Sequence, residues 1–356
     1  MKNEKLIPRQ EMILSFIEGK GSVSGGQISE HIAKELGKIT RMTISRDLEK
    51  MIQAGLVERR GTAGRAVTYQ LSSKYPIAKK IDVEEYFSRP FSEREAKPLF
   101  NDEILSVLND SIFSGEEMEI LEKANEKYIE TRNKLAKDSP TIFRKEWERL
   151  IIELSWKSSE IEGNTYTLLE TEMLIREMHF AKGKNKSEAQ MILNHKKTLD
   201  FILTNDEYFK DITLDKIIKI HELLTEKIDI KKDFRDHPVG ITGTIYRPIP
   251  KKKDIAVVMK KLVEVLERTK NPFAKSFIVL IMIAYIQPFE DGNKRTSRII
   301  ANAILHAHSK SMLSYRDVDT IEYKKAMILF YEQNNISYIK EIFMQQFEFA
   351  VENYFG

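Results

Sequence analysis

Apolar residues recur at helical spacing through most of this 356-residue chain. In "PRQEMILSFIEGKG", Met12, Ile13, Phe16 and Ile17 share one face, and glycines stop the pattern. "SGGQISEHIAKELG" repeats it with Ile28, Ile32 and Leu36, again ending on glycine. "ITRMTISRDLEKMIQAGLV" predicts a third amphipathic helix with Ile44, Leu48, Met51 and Ile52 inward. The period then changes. "LVERRGTAGRAVTYQLS" holds two β-rich runs around a turn at Gly61 to Gly64, which predicts a hairpin. "SKYPIAKKIDVEEYFSRPFSEREAKP", with its prolines and dense charge, reads as a partly ordered connector.

Beyond residue 100 the pattern is helical almost throughout. The predicted helices are 101–113, 116–137, 141–161, 165–180, 187–204, 213–227, 254–269, 272–286, 292–308, 315–334 and 337–352. "PVGITGTIYRPIP", residues 238–250, is β-branched around a glycine and predicts a hairpin or flap between helices. "FIVLIMIAYI", residues 277–286, is too short to span a bilayer and predicts a buried core helix. The fold expected is mostly α. A winged helix-turn-helix over 1–72 and a linker over 73–100 precede a helical body over 101–356.

Composition changes this picture little. The chain has no cysteine, which excludes disulfides and thiolate zinc sites and fits a reducing cytosol. Its charged start, "MKNEKLIPRQ", is not followed by a signal-type apolar stretch. A cytoplasmic protein with no membrane partner is therefore expected. Charge is unevenly placed. Residues 1–71 carry 12 Lys/Arg against 8 Asp/Glu, whereas the whole chain is only +3. An excess at one end hints at a module facing nucleic acid.

The first 72 residues, and "TISRDLEKMIQAGLVERRG" above all, resemble winged-helix regulators. That resemblance implies that the third helix enters a DNA major groove with Arg41, Thr43, Ser45 and Arg46, while Arg59, Arg60 and Arg65 of the wing meet the backbone. Winged helices commonly read paired half-sites, so a homodimer fits this reading, and so does a protein-contact role.

Residues 286–298, "IQPFEDGNKRTSR", carry the most specific chemistry. An apolar helix ends before Pro288, and a new helix starts near Asn293. Backbone N–H groups at that start make an anion site, and Gly292 lets a phosphate approach. Asp291 is suited to Mg²⁺ bridging phosphates. Lys294, Arg295 and Arg298 supply cations, and Phe289 anchors the loop in the core.

The stretch resembles the Fic family motif, His-x-Phe-x-Asp/Glu-Gly-Asn-Gly/Lys-Arg-x-x-Arg, at every defined position but the first. The resemblance covers roughly residues 85–350, with a core over 187–308. It implies an all-helical Fic-type bundle that binds Mg²⁺ and ATP and transfers AMP to a hydroxyl of a target protein, on Tyr, Ser or Thr. It also implies a β-hairpin flap, Ile241, Thr242, Gly243, Thr244, Ile245 and Tyr246, that aligns the target. Most adenylylating relatives have Gly where Lys294 stands. Some have Lys, including Doc-type toxins that transfer the γ-phosphate, but those lose the glycine that Gly292 retains.

"SSEIEGN", residues 158–164, resembles the family's inhibitory motif through Ser158, Glu162 and Gly163, at the end of a helix over about 141–163. In relatives that Glu pairs with the last arginine of the loop, here Arg298, and blocks the γ-phosphate. Read locally, Gly163 is also a helix cap and Glu162 a solvated charge.

Gln287 occupies the catalytic position where the family has its histidine. An amide has no useful basicity, although it can hold a hydroxyl by hydrogen bonding. Three explanations follow: natural loss, an engineered inactive variant, or a substitute base. For the last, Glu290 is nearest, and His221 and His237 lie far off in sequence. Two functions compete. One is a self-inhibited adenylyltransferase scaffold weakened at Gln287, with its own hydroxyls as one conceivable target. The other is an inactive, nucleotide-sensing DNA-binding transcriptional regulator.

Overall fold

The computed structural model describes residues 6–61 and 67–355. They form two compact units, one of residues 1–80 with 114–117 and one of 81–113 with 118–356. The connector expected over 73–100 is therefore divided between them.

In the first unit, helices α1 (Pro8–Lys20), α2 (Gly25–Leu36) and α3 (Arg41–Gln53) accompany strands β1 (Ser22–Ser24), β2 (Val57–Arg60) and β3 (Thr68–Leu71) and a single turn, α4 (Tyr75–Ala78). The antiparallel sheet runs β1-β3-β2, with Arg60 opposite Thr68 and Ser22 opposite Gln70. Strand β1, three residues long, is too short to register as a period-two pattern. Ser24 closes it and caps α2, its hydroxyl accepting from the Gln27 N–H. Ile13, Ile17, Ile28, Ile32, Ile44, Leu48 and Met51 form the core, as their spacing predicts. Leu36 does not join it: it is the last helical residue and is 46% exposed. Arg65 and the turn residues 62–64 lie outside the described residues.

The second unit is helical. It comprises α5 (Val83–Ser88), α6 (Ile104–Val107), α7 (Gly115–Asp138, apart from its first turn), α8 (Pro140–Glu160), α9 (Leu168–Glu177) and α10 (Lys186–Thr204). After these come α11 (Leu214–Leu224), α12 (Lys252–Arg268), α13 (Pro272–Ile286), α14 (Asn293–Ala307), α15 (Thr320–Gln333) and α16 (Ser337–Asn353). Its centre is α13, buried from Phe273 to Ile286 and packed along α14, with the Ser276 hydroxyl donating to the Ala301 carbonyl. No helix among the described residues is long and apolar enough to cross a membrane.

Two expectations are corrected. Residues 101–113 are not one helix, because Leu108 and Asn109 are extended and the Asn109 side chain caps a new 3-10 turn at Asp110–Ile112. Residues 238–250 do not pair as a hairpin. They turn at Thr242–Gly243, where Gly243 has φ 85°, and carry one bridge, from Arg247 to Leu99. Its backbone bonds outside the segment, as in Arg247 N–H to the Pro98 carbonyl at 2.9 Å, and within it the Tyr246 N–H reaches only the Thr244 hydroxyl. Residues 81–101 are likewise tied to the body. Tyr86 Oη donates to Glu332 at 2.7 Å, Arg94 pairs with the same buried carboxylate at 3.3 Å, and the Lys97 N–H meets the Glu332 carbonyl.

Candidate functional site: a cation loop at the start of α14

Helix α13 stops at Gln287, which adopts the left-handed conformation with φ 52° while its N–H still bonds the Ile283 carbonyl. The chain turns, and α14 starts after Gly292, whose φ of 79° favours glycine. Asn293 holds the loop from inside. Its Oδ1 accepts from the Phe289 N–H at 2.8 Å, and its Nδ2 donates to the Phe289 carbonyl and to Gln287 Oε1. Phe289 is fully buried and stacks on His221 at 3.7 Å, so it anchors the loop as expected.

Arg235 was missed by the sequence reading as a site residue. It is fully buried and makes three hydrogen bonds to carbonyls: Nε to Gln287 at 2.7 Å, Nη1 to His237 at 2.6 Å and Nη2 to Ile249 at 2.6 Å. Its own N–H bonds the Pro288 carbonyl. One guanidinium thus ties the loop to both ends of the 237–249 segment. These contacts span 2 to 52 residues in sequence, so no local pattern announces them.

The charges form one network. Arg298, with no exposed side-chain surface, stands 2.8 Å from Glu162 Oε1 and bonds the Ser158 hydroxyl through Nε and the Ser158 carbonyl through Nη2. Lys294 lies 3.4 Å from the other oxygen of Glu162. Arg295 pairs with Asp291 at 3.2 Å. Burial pushes the Glu162 carboxyl up, but Arg298, Lys294 and Arg295 outweigh it and hold it below the usual carboxylate range. Conversely, burial opposes the Arg298 cation, and Glu162 more than restores it. Ser158 Oγ also meets His195 Nε2 at 3.3 Å, from α10. Burial first, then Arg295 and Arg298, drive His195 far below its ordinary range, so it is neutral.

Glu162 follows the end of α8, where Gly163 turns with φ 96°. Neither local reading holds as stated: the helix ends at Glu160 with Ile161 at its cap and Gly163 turns the chain two residues later, and Glu162 is directed inward rather than solvated. Phosphate-type ligands fit the loop. Arg295 Nη1 is buried, has no hydrogen-bond partner, and belongs to a residue lining the adjoining cavity.

That cavity, about 480 Å³, is lined by Glu162, by Gln287 and Glu290 to Arg295, by Val239 to Thr242, and by α15 residues Tyr323, Lys324, Met327, Ile328 and Tyr331. The α15 wall carried no role in the sequence reading, because only folding brings it opposite the loop. Of the predicted flap, Ile241 and Thr242 reach the cavity. Tyr246 is core instead, its hydroxyl donating to the Tyr285 carbonyl at 2.8 Å; Gly243 lies near Ile328, Thr244 accepts from the Tyr246 N–H, and Ile245 is half-buried.

Gln287 lines the cavity, but its amide is committed: Nε2 donates to the Ala284 carbonyl at 2.6 Å, and Oε1 accepts from Asn293. The expected bond to an incoming hydroxyl would compete with both. Neither distant histidine faces the cavity. His221 is stacked on Phe289 with Nε2 at the Asp291 carbonyl, and burial lowers it to about 4. His237 is exposed and serves Arg235 through its carbonyl. Glu290 does line the cavity and pairs with Lys231 at 3.7 Å.

In the first unit, Arg41, Ser45 and Arg46 are exposed on α3, and Arg59 and Arg60 on β2. Thr43 is partly covered, and its N–H and hydroxyl bond Thr40, the residue capping α3.

Residues 211–305 match the family model described as Fic/DOC family. The chain is 29% identical over 156 residues to the proteins named protein adenylyltransferase Fic of Drosophila sechellia and Drosophila melanogaster, covering 42% of this chain and 31% of each relative. It therefore spans about a third of the length of those curated relatives. The structure is similar to a Fic family protein from Desulfovibrio desulfuricans, with TM-score 0.57 and 22% identity over 68% of this chain and 75% of that one. It is also similar to Fic-1 of C. elegans, with TM-score 0.55 and 18% identity over 67% and 72%. The fold is thus shared, and the motif whose loop is described above lies inside residues 211–305, the span that matches the Fic/DOC family model.

Proposed function

We propose that the second unit is a protein adenylyltransferase scaffold that binds ATP with Mg²⁺, is held off by Glu162, and lacks its base because Gln287 replaces histidine. The observation that carries this reading is Glu162, with one oxygen 2.8 Å from Arg298 and the other 3.4 Å from Lys294. A carboxylate on the phosphate-binding cations excludes a phosphate from the same donors. In the transfer, a target hydroxyl oxygen bonds the α-phosphorus of ATP and pyrophosphate leaves. Arg295, Arg298, Lys294 and the α14 N–H groups carry its negative charge. Asp291, which pairs with Arg295 in this chain, is the carboxylate that would hold Mg²⁺, and the ion would supply further charge neutralisation. The wall of Ile241, Thr242 and α15 excludes water and orients the partners. The hydroxyl proton has no acceptor at Gln287, and losing a general base costs roughly 10²–10⁴ in rate.

The first unit supports a second, compatible role. Its exposed arginines on α3 and β2 suit a winged helix on DNA, with nucleotide bound by the second unit as the signal.

The test uses Glu162→Gly protein with Mg²⁺ and ATP labelled at the α-phosphate, with and without Gln287→His. Label on protein only with the histidine is the expected result. Label in both would show that Gln287 suffices. No label in either, with cell extract supplied as target, would refute the transferase reading and leave DNA-linked nucleotide sensing.

A further inference from the structure

We infer that Lys294 is the second cation of the lock: it pairs with Glu162 in the closed chain and turns to a terminal phosphate when Glu162 withdraws. The inference rests on the transferase reading above and assigns a regulatory part to a residue whose place is Gly in most adenylylating relatives.

The geometry is specific. The two oxygens of Glu162 serve different cations, Arg298 at 2.8 Å and Lys294 at 3.4 Å. Arg298 is immobile: it is fully buried and fixed by two bonds to Ser158. Lys294 differs. Its side chain is 30% exposed, it lines the cavity, and it carries a flexible stem on the first turn of α14. It can swing from carboxylate to phosphate, whereas Arg298 can only exchange one ligand for another in place. Arg295 meanwhile is held by Asp291 at 3.2 Å. All three cations of the loop are thus neutralised by the chain's own carboxylates, and ATP must displace two separate contacts of one carboxylate. A glycine at 294 would leave Glu162 a single partner and a weaker hold.

The consequence is a coupling that a plain phosphate ligand would not have. Removing Lys294 deletes a phosphate contact and also loosens the competitor, so its effect depends on whether Glu162 is present.

The experiment is a double-mutant cycle of Glu162→Gly and Lys294→Ala on the full chain, with Gln287 retained so that turnover does not intervene. Mg²⁺-ATP affinity is measured by calorimetry. In the Glu162→Gly chain, Lys294→Ala is expected to weaken ATP binding about tenfold, the scale of one charge-assisted contact. In the intact chain the same change is expected to stay within about threefold, because the two effects oppose each other. Equal weakening in both backgrounds, or none in the Glu162→Gly chain, overturns the inference.

Thermal unfolding without nucleotide is the second arm. Lys294→Ala should lower Tm by about 2 °C with Glu162 present and not lower it in the Glu162→Gly chain. If Glu162→Gly fails to tighten ATP binding, the self-inhibition reading has failed. The pairing of Lys294 with Glu162 is then decided by the unfolding arm, where an equal change in both backgrounds overturns it.

Discussion

Arg235→Met removes a single guanidinium from the junction of loop and cavity wall while keeping an unbranched stem of similar reach. Arg235 is fully buried, and no carboxylate among the described residues pairs with it; its charge is matched only by the carbonyls of Gln287, His237 and Ile249 at 2.6–2.7 Å. A hydrogen bond to a charged group contributes about 1.5–3 kcal/mol, and an orphaned buried carbonyl costs about 1–3 kcal/mol. The three bonds share one donor group and do not add, and removing the guanidinium also relieves its own desolvation. The expected net loss is therefore about 3–5 kcal/mol, the range for breaking a buried charged contact. Urea unfolding followed by circular dichroism measures it. Because the lost bonds fix Gln287 and the 237–249 segment, ATP affinity in the Glu162→Gly background should fall as well. Arg235→Lys should recover only part of either quantity, since one ammonium cannot span three divergent carbonyls. A loss under about 1 kcal/mol with unchanged ATP affinity would refute the argument that this residue organises the site.

Three further outcomes follow from the same geometry. Gly292→Ala should destabilise the chain by about 1 kcal/mol or more in denaturant unfolding, because φ 79° disfavours a Cβ, even though the Cβ would meet Thr225, Arg295 and His221 at ordinary contact distances of 3.5–3.6 Å. Burial lowers His221 to about 4 in the folded chain, whereas the unfolded chain titrates near 6.5. The unfolded state therefore binds protons first as pH falls. His221 contributes stability that is complete above pH 6.5 and lost between 6.5 and 4, about 3 kcal/mol; a Tm series over that range should register it, and His221→Phe should remove that share while the buried His195 and His306, also depressed, keep a slope of their own. If the first unit binds DNA, Arg46→Ala and Arg59→Ala should each reduce the slope of log affinity against log salt by about 1, measured by fluorescence anisotropy.

The first unit's helices were legible because local signals and packing agree: α2 and α3 follow the side-chain caps Ser24 and Thr40, and α1 and α2 stop at Gly21 and Gly37. Helix α13 was legible for the opposite reason: an unbroken apolar run has nowhere to go but a core. The 101–113 break was not, since Leu108 and Asn109 sit in a pattern compatible with helix, and only the competing Asn109 cap decides against it. The same holds for 238–250, whose β-branched residues suggest paired strands but whose partners are residues 98 and 99.

What the sequence determined by itself was the cation loop: its residues lie within 13 positions, and glycine, aspartate and the basic residues must follow one another to wrap an anion. The pairing of Glu162 with Arg298 came from a family resemblance in a second motif, not from the local pattern, which suggested a solvated charge. Only the tertiary structure decided what surrounds them. Folding set Arg235 on three carbonyls, turned the Gln287 amide into the loop, placed Lys294 on the second oxygen of Glu162, and brought α15 across the cavity. The physical reason is common to all four. Each is a contact whose strength depends on distance and burial in three dimensions, and chain order carries no record of either.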